Sequence, residues 1–506
     1  MVYLGMDIGT SSCKIAAFNE HGKALAVTMR EYPLIFPESG WMELDANTVW
    51  ENVVECAREC CFSLDGAEIT AVSVSSQGEA IIPVDKNGKA IYNSIVTFDN
   101  RCREEVRRLK ELFTNREMVK ITGSPIHSMF SLPKIMWIKN NLPDIYQRTS
   151  TFMCYGDFIS YKLGARGAID YTMASKTQLF DIKEKRWSKQ IIRRTLLDEE
   201  KLPEVVPSGE IIGKIPERIS RITGITKGAL VVAGAHDQSC CAVGAGVLDV
   251  GTIMNSLGTT ESFLCVDDKF ITNKNTIESN ILSCAYACED RYAYLTFLSS
   301  SGSILNWYKN QIVRDTTPFN QYDRIAKERH RPSTVRLVPY FAGSGTPYMD
   351  DLATGIFSGL TLSTDRIDMY LAILEGTALE GARNIEIMKK CGIAVNEIRC
   401  IGGGAKSEIW MQIKADAYGM PLTLMEVNES GAMGAAALAA AAANRCDIKD
   451  ITEKWCKKAR VFSPNWKQHE IYQEIMWSQW DLYYKRRADL CAGKTEGNYL
   501  ETAMIL

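Results

Sequence analysis

The stretch at residues 230–241 (LVVAGAHDQSCC) constrains this chain more than any other. Its apolar, β-branched start predicts a buried strand, and the small residues that follow end that strand. The chain then presents a carboxylate, Asp237, and an amide, Gln238, at a position where side chains often form the floor of a cleft. Taken alone, the stretch leaves a second interpretation open, because aspartate is also a common helix N-cap.

The length of the chain predicts more than one domain. At 506 residues it exceeds what a single hydrophobic core usually organises, so two large domains, or two with insertions, are expected. The formal net charge of −3 gives no general attraction to nucleic acid or to anionic membranes. The sixteen cysteines form no C-x-x-C motif and do not cluster with histidine, which disfavours zinc and favours reduced thiols in a cytoplasm.

The sequence shows no targeting or membrane segment. The first residues lead directly into an apolar run without a basic region before it, so no secretory signal is expected. The most apolar segment, residues 432–443, is mostly alanine and is far shorter than the roughly 20 residues that span a bilayer. We therefore expect a cytoplasmic protein with no membrane and no nucleic-acid partner.

Two short turns rich in glycine and hydroxyl residues lie about half a chain apart. Residues 2–18 have the pattern strand, turn, strand, and their turn is GTSS at 9–12. Residues 250–264 repeat the pattern around GTTE at 258–261. Such turns offer N–H groups and hydroxyls to an anion, although each alone could be an ordinary hairpin. Their similarity suggests two related domains that grip a polyphosphate from both sides. Asp7, at the end of the first strand, could hold a metal through water.

A third glycine-rich turn, GGGAKS at residues 402–407, follows a short apolar run and precedes a helix-like stretch at 408–418. It lacks glycines that the phosphate loop and the dinucleotide fingerprint require. What remains is strand, glycine turn and helix, an arrangement in which backbone approaches a flat or anionic ligand closely. A fourth such place, residues 429–435, opens an alanine-rich helix.

Helices and strands between these turns complete an α/β chain. The strand expected at residues 68–75 runs into Gln77, Gly78 and Glu79, which could bind hydroxyl groups. A single glutamate at a strand end is also compatible with solvated surface. The other predicted segments are helices at 47–61, 365–390 and 468–487 and a loose tail at 493–506.

In order and spacing, four motifs resemble those of the FGGY carbohydrate kinases. They are DIGTSS at 7–12, GAHDQ at 234–238, LGTT at 257–260 and GGGAKS at 402–407. The resemblance covers residues 2 to about 485 and implies an α/β fold with two ribonuclease-H/actin-like domains of the sugar kinase/Hsp70 superfamily. By this resemblance residues 1–246 bind the sugar and residues 247–506 bind the nucleotide, with ATP and Mg²⁺ in the cleft between them.

The same resemblance implies a role for each site residue. Asp237 would be the general base that takes the proton of the acceptor hydroxyl, and Asp7 and Asp237 would hold Mg²⁺. His236 is interpreted as a spacer, because many relatives have a small residue there. These roles suit phosphoryl transfer, which needs positioning, charge neutralisation and one base. The implied contacts to ATP are Thr10, Ser11, Ser12, Lys14, Gly258, Thr259, Gly403, Gly404 and Ser407, and those to the sugar are Gln77, Gly78, Glu79, Asp99, Asp237 and Gln238.

The sugar pocket departs from the family pattern in two places. The residues Gln77-Gly78-Glu79-Ala80 stand where xylulokinases usually have Gln-Met-His-Gly, and they are closer to the Gln-Arg-Glu of glycerol kinases but lack its arginine. Thr97 replaces a tryptophan that many members have before the matching Asp99 and Arg101. Losing these side chains should leave a roomier or more polar pocket, and Glu79 should repel an acid substrate.

The resulting prediction is an ATP-dependent kinase of a small open-chain ketose or polyol, with a xylulokinase-like activity favoured. Kinases of glycerol, another polyol or gluconate are the alternatives. From another class, an actin- or Hsp70-like ATPase without kinase activity would use the same cleft, but it would not need the Asp-Gln pair. A sugar-responsive regulator would need a basic helix-turn-helix, and residue 2 begins directly in the fold. The resemblance also allows a homodimer.

Overall fold

The computed structural model describes residues 1–288, 290–427 and 429–476, and each half of the sequence contains one large mixed β-sheet. The strands of the first half are β1 Val2–Ile8, β2 Ser12–Asn19, β3 Ala24–Glu31, β4 Glu43–Leu44, β5 Ile69–Ser76, β6 Ile82–Val84, β7 Ser94–Ile95, β8 Thr151–Met153, β9 Ala168–Asp170, β10 Phe180–Asp181, β11 Arg186–Trp187, β12 Glu204–Val206, β13 Ile211–Lys214 and β14 Leu230–His236. Those of the second half are β15 Thr252–Leu257, β16 Glu261–Asp267, β17 Leu282–Ala285, β18 Tyr292–Leu298, β19 Arg336–Val338, β20 Ile356–Ser358, β21 Glu397–Ile401, β22 Leu422–Met425 and β23 Lys458–Phe462.

Helices connect and cover the strands in both halves. The helices of the first half are α1 Ala46–Phe62, α2 Arg103–Leu112, α3 Asn115–Thr122, α4 Ser131–Asn141, α5 Pro143–Arg148, α6 Tyr155–Lys162, α7 Tyr171–Ser175, α8 Lys189–Thr195, α9 Glu217–Thr223 and α10 Asp237–Gly244. Those of the second half are α11 Lys274–Glu278, α12 Gly302–Trp307, α13 Phe319–Ala326, α14 Arg366–Lys390, α15 Glu408–Tyr418, α16 Ser430–Asn444 and α17 Ile448–Trp455. In the part of the chain that the structure describes, none of the helices combines the length and the apolar character needed to cross a membrane.

The two large sheets share one strand pattern. The first has the order β13-β14-β5-β1-β2-β3, and the second has the order β17-β18-β16-β15-β21-β22-β23. In each sheet an antiparallel hairpin, β1–β2 or β15–β16, lies beside two strands that run parallel to its first strand. The repeated pattern confirms the prediction of an α/β fold with two ribonuclease-H/actin-like domains.

Local signals predicted the ends of several elements well. α1 begins after Asp45, whose side chain caps the helix, and α14 begins after Asp365 in the same way. α15 has the expected bounds, and Gly419 ends it with φ +62°. The helix predicted for residues 468–487 is described only from 466 to 476, and the predicted tail at 493–506 lies outside the described residues.

Helices α10 and α16 pack on each other and form one buried cluster with residues of both large sheets. Although α16 lies late in the sequence, it packs on β1 and β5 of the first sheet. The contact is backbone to backbone, because a Cβ at Gly5 would lie 1.7 Å from the carbonyl oxygen of Ala432. Only glycine permits this approach, which brings the start of α16 to the edge of the first sheet where β1 ends.

Candidate active site

Three parallel strands of the first sheet, β1, β5 and β14, end at one edge. Their register places Asp7 beside Ser75, and His236 beside Ser76. In open α/β sheets, ligands bind in the crevice outside the carboxyl ends of such strands. The polar groups at these ends, Asp237 among them, are therefore collected in one place by the sheet itself.

Asp237 is the first residue of α10, and His236 occupies the N-cap position. Asp237 is therefore not the N-cap, and its Oδ1 accepts the N–H of Gln238 at 2.6 Å. Burial, and then the charges of Asp7 and Glu79, raise the pKa of Asp237 to about 7. A carboxylate with this pKa is suited to accept a proton near neutral pH.

His236 lies directly beside the candidate base, with its Nε2 3.2 Å from Oδ1 of Asp237. Its backbone N–H donates to Oγ1 of Thr172 at 2.7 Å. Burial, assisted by the charge of Lys176, lowers the pKa of His236 well below its usual value. A neutral imidazole thus forms one wall beside the Asp237 carboxylate, a contact that goes beyond the spacer role expected from the sequence.

Asp7 is held at the end of β1 by packing and a hydrogen bond. Its Oδ1 accepts the hydroxyl of Ser75 at 2.7 Å, and a Cβ at Gly431 would lie 2.8 Å from its Oδ2. Burial raises the pKa of Asp7, while the Ser75 hydrogen bond and the charge of Lys14 oppose this. Lys14 forms an ion pair with Glu429, immediately before α16. The start of α16 is thereby attached to the first hairpin.

The turn between β1 and β2 is closed by a hydrogen bond from the N–H of Gly9 to the carbonyl of Ser12 at 2.9 Å. Oγ1 of Thr10 donates to Oε1 of Gln77 at 3.0 Å, and Nε2 of Gln77 donates to the carbonyl of Gly9 at 3.2 Å. The amide of Gln77 therefore stabilises the turn, and its contact with the sugar stays a prediction. Ser11 is exposed at the tip.

The turn between β15 and β16 has the corresponding shape. The N–H of Gly258 donates to the carbonyl of Thr260 at 3.0 Å. The carbonyls of Gly258 and Thr259 accept N–H groups of residues 301–303, where α12 begins. Since these carbonyls face α12 and the three residues of the turn are exposed, the tip can receive an anion.

Gln238 joins the first half of the chain to this second hairpin. The hydroxyl of Ser262 on β16 donates to Oε1 of Gln238 at 2.9 Å. The contact places Gln238 between the candidate base and the second sheet. Its predicted contact with the sugar stays a prediction.

The third glycine turn connects β21 to α15. Gly402 has φ +94°, a conformation that favours glycine, and a 3₁₀ turn at Gly404–Lys406 follows. A Cβ at Gly403 would meet no atom within 4 Å, so the backbone there is open to a ligand. Ser407 is the N-cap of α15, and its hydroxyl accepts the N–H of Trp410 at 3.3 Å.

Glu79 is buried, with 5% of its surface exposed, so the alternative of a solvated surface residue is wrong. Oγ1 of Thr97 lies 3.4 Å from Oε2 of Glu79 and donates to the carbonyl of Gly78 at 3.1 Å. The backbone carbonyl of Glu79 accepts Ser131 Oγ and Lys134 Nζ, each at 3.0 Å. Thr97, which itself departs from the family pattern, thus contacts Gly78 and Glu79, where the pattern also differs.

Gly78 makes room for two side chains that the sequence did not identify as neighbours. A Cβ at Gly78 would lie 2.7 Å from Cδ2 of His236 and 3.2 Å from Cγ of Lys176. Lys176 is 4% exposed, and within the described residues its ammonium group has no hydrogen-bonding or ion-pair partner. Burial raises the pKa of Glu79 and the charge of Lys176 opposes it. The charge of Lys176 also opposes the rise in the pKa of Asp237.

Asp99 is buried, with 1% of its surface exposed. Its carboxylate accepts Nε and Nη2 of Arg101 at 2.9 and 2.7 Å, and the N–H of Met42 at 2.6 Å. Arg101 also donates to Glu43 at 2.8 Å and lies 3.9 Å from the ring centroid of Trp41. These contacts give Asp99 a supporting position, and its direct contact with the sugar stays a prediction.

Sequence reasoning missed four charged or polar residues of the site: Lys134, Lys176, Ser262 and Glu429. Lys176 directly follows α7, in a segment that the motifs used above do not cover. The other three belong to α4, β16 and the approach to α16, and only the folded chain brings them to the site.

Two sheets with one repeated pattern, each with a hairpin turn, define a two-domain protein of the ribonuclease-H/actin-like type, and a buried carboxylate with a raised pKa lies at the edge of the first sheet. The chain belongs to the FGGY family of carbohydrate kinases, since the N-terminal domain of that family matches residues 2–244 and the C-terminal domain matches residues 253–443. It is therefore an ATP-dependent carbohydrate kinase, as predicted, and the alternative of an ATPase without kinase activity is wrong.

The relatives include kinases of more than one acceptor. The xylulose kinase of Staphylococcus xylosus is 28% identical over 473 residues, which cover 93% of this chain and 97% of that protein. The glycerol kinase of Thermococcus kodakarensis is 27% identical over 495 residues, or 96% of each chain. The crystal structure of xylulose kinase from Rhodospirillum rubrum matches with a TM-score of 0.89 at 23% identity, over 96% of this chain and 99% of that one. This last likeness concerns the fold alone.

Proposed function

We propose that the enzyme transfers the γ-phosphoryl group of Mg-ATP to a hydroxyl of a small open-chain ketose or polyol, a xylulose-like ketose being favoured. The observation that carries the proposal is the carboxylate of Asp237, whose pKa is raised to about 7 at the edge where three parallel strands end. A general base is most effective when its pKa lies near the working pH.

The proposed reaction assigns one task to each part of the site. Asp237 takes the proton of the acceptor hydroxyl as its oxygen attacks the γ-phosphorus. The turns at residues 9–12 and 258–260 hold the phosphates through N–H groups, with Lys14 beside the first. The turn at residues 402–407 receives adenosine. Phosphoryl transfer depends mainly on such positioning and on charge stabilisation.

Asp7 and Asp237 are the residues that would hold Mg²⁺. Their negative charges act on each other, since Asp7 raises the pKa of Asp237, and a divalent cation would relieve this repulsion. Among the described residues, no group of three or more His, Cys, Asp or Glu side chains is placed to hold a metal. Magnesium sites of kinases usually use one or two carboxylates together with substrate phosphates. The ion would supply neutralisation of the phosphate charge.

The charges of the pocket favour a neutral acceptor. Glu79 and Lys176 are both nearly buried, so a polyhydroxylated substrate can donate to the carboxylate and accept from the ammonium group. An acid such as gluconate is the second candidate, because Lys176 supplies the cation beside Gly78 that a substrate carboxylate would need. Glu79 and Asp237 would both repel that carboxylate, which ranks the acid below the neutral sugar.

The decisive experiment is a screen of acceptors by ADP release with the purified enzyme and Mg-ATP. Pentuloses, hexuloses, tetritols, pentitols, glycerol and aldonates are compared, and we expect the highest kcat/KM with a ketose. In Asp237→Asn the turnover should fall by about 10³-fold or more while ATP binding persists, because a base acts on the chemical step.

The matched control is Asp65→Asn, the same change at an exposed position whose φ of +48° asparagine tolerates; it should turn over normally. Substantial residual turnover in Asp237→Asn would remove Asp237 from the role of base. A wild-type enzyme that releases no ADP with any of the acceptors would contradict the proposed function itself.

A further inference from the structure

A buried ion pair lies inside the second half of the chain. Nζ of Lys414 on α15 lies 2.7 and 2.8 Å from the two carboxylate oxygens of Glu261 on β16. Neither side chain has any exposed surface. Removing two charges from water is unfavourable unless their geometry and hydrogen bonding are good, and an apolar pair of the same size often gives equal or better stability. Stability alone therefore does not account for this pair.

The carboxylate of Glu261 accepts hydrogen bonds from three other parts of the chain: β15, the segment before α12, and α15. Besides Lys414 it accepts Nδ2 of Asn255 on β15 at 2.9 Å, Oγ of Ser301 before α12 at 3.0 Å, and the hydroxyl of Tyr418 on α15 at 3.3 Å. Burial lowers the pKa of Lys414 and the charge of Glu261 opposes this. Each oxygen of the carboxylate is hydrogen-bonded, so its position is fixed from several directions.

Glu261 comes directly after the turn at residues 258–260. That turn also rests on the segment that Ser301 begins, because the N–H groups of Ser301 and Gly302 donate to the carbonyls of Thr259 and Gly258 at 3.1 and 3.0 Å. A Cβ at Gly302 would lie 2.5 Å from the carbonyl oxygen of Gly258. The hydrogen bond between Glu261 and Ser301 therefore connects the strand that follows the phosphate turn to the segment on which the turn rests.

Lys414 lies on the helix that follows the other nucleotide turn. α15 starts at the end of the turn at residues 402–407, and this turn packs on Leu257, the last residue of β15. A Cβ at Gly402 would lie 2.5 Å from the carbonyl oxygen of Leu257, and one at Gly404 would lie 2.8 Å from the ring of Trp410 on α15. The ion pair thus connects β16, which follows the phosphate turn at 258–260, to α15, which follows the turn at 402–407.

We propose that Glu261 and Lys414 are positioning residues for the nucleotide, which fix the phosphate turn at 258–260 relative to the adenosine turn at 402–407. The inference rests on the proposed function for the assignment of the two turns. A nucleotide that spans both turns binds them together, and the second contact adds affinity only if the spacing of the turns matches the ligand. Loss of the ion pair should therefore reduce the affinity that the phosphates add to that of adenosine. The affinity for adenosine itself should be kept.

The test compares the affinities of adenosine, AMP, ADP and ATP by calorimetry in the presence of Mg²⁺. The wild type is compared with Glu261→Gln/Lys414→Met, a double variant that leaves no unpaired buried charge. In the double variant the adenosine affinity should stay within about twofold, whereas the ratio of ATP to AMP affinity should fall by about tenfold or more. An unchanged ratio in the folded double variant would overturn the inference.

Two further variants separate positioning from general stability. Glu375→Gln alters another buried carboxylate of the second half, which accepts Tyr472 at 2.9 Å and the N–H of Ser333 at 3.0 Å and touches neither turn. It should lower the melting temperature while the ATP to AMP ratio is kept, and a comparable loss of the ratio there would contradict the proposal.

Ser301→Ala removes only the hydroxyl between Glu261 and α12, so it provides the test if the double variant does not fold. The ATP to AMP ratio should then fall by about threefold, and a ratio equal to that of the wild type would overturn the proposal. If the wild type binds ATP no more tightly than AMP, this result would instead refute the proposed function.

Discussion

The dependence of turnover on pH is the most direct test of Asp237 as the base. An aspartate in water has a pKa of about 3.9, whereas burial and the charges of Asp7 and Glu79 raise the pKa of Asp237 to about 7. Only the deprotonated carboxylate accepts a proton, so kcat/KM for the acceptor rises with pH and becomes constant above this value. Relative to that plateau we expect about one tenth at pH 6 and about one hundredth at pH 5.

The assay measures initial rates between pH 5 and pH 9 at acceptor concentrations well below KM, with ADP quantified by chromatography so that no coupling enzyme limits the rate. A cation beside Asp237 favours its charged form and lowers its pKa. The acid limb of the profile should therefore move to lower pH as the Mg²⁺ concentration rises, and the series is extrapolated to low Mg²⁺.

The variant Glu79→Gln provides the internal check. It removes a negative charge that raises the pKa of Asp237, so the acid limb should shift to lower pH, while Asp65→Asn should leave the limb in place. A profile that stays flat from pH 5 to pH 8 even at the lowest Mg²⁺ would refute the reasoning, because a carboxylate with an ordinary pKa would then be acting as the base.

Three further variants test the pocket and its support. Gly78→Ala places a methyl group 2.7 Å from the ring of His236, so kcat/KM for the sugar should fall by about 10- to 100-fold with the KM for ATP nearly unchanged; equal kinetics would show that the ring moves freely. Lys176→Met should raise the KM of a neutral sugar by about tenfold, and a loss confined to aldonates in the acceptor screen would favour the acid substrate. Arg101→Met leaves two carboxylates, that of Asp99 included, buried without their cation, so urea unfolding should show a loss of about 3–5 kcal/mol; an unchanged midpoint would contradict this.

The reaction class could be predicted from the sequence because four short motifs resemble those of the FGGY kinases, and each motif is local. A β-branched run followed by small residues and Asp237 is a strand that ends in a carboxylate, and the strand and α10 lie where this pattern predicts them. Helix ends were also accessible, since the helices predicted at 47–61 and 365–390 lie at 46–62 and 366–390, directly after the capping residues Asp45 and Asp365. Each of these signals is contained in a few neighbouring residues.

The acceptor could not be predicted because its determinants come together only through packing. Glu79 has the pattern of a surface residue, yet it is buried, and its backbone carbonyl accepts hydrogen bonds from Ser131 and Lys134 of α4. Lys176, in the segment after α7, lies close to Gly78. The pKa of Asp237 likewise depends on Asp7 and on Glu79, which are distant in sequence. No local sequence pattern predicts contacts between residues that are so far apart in the chain.

The position of α16 shows why the two halves of the sequence are not two independent bodies. This alanine-rich helix belongs to the second half, yet it packs on β1 and β5 with backbone contact at Gly5. Its first turn lies against the carboxylate of Asp7, and Glu429 before it pairs with Lys14. A close backbone contact of this kind cannot slide without separating, because no side chains lie between the two surfaces to adjust. We infer that Asp7, Lys14 and the start of α16 move as one unit, so that any opening of the cleft takes place between this unit and the turns of the second sheet.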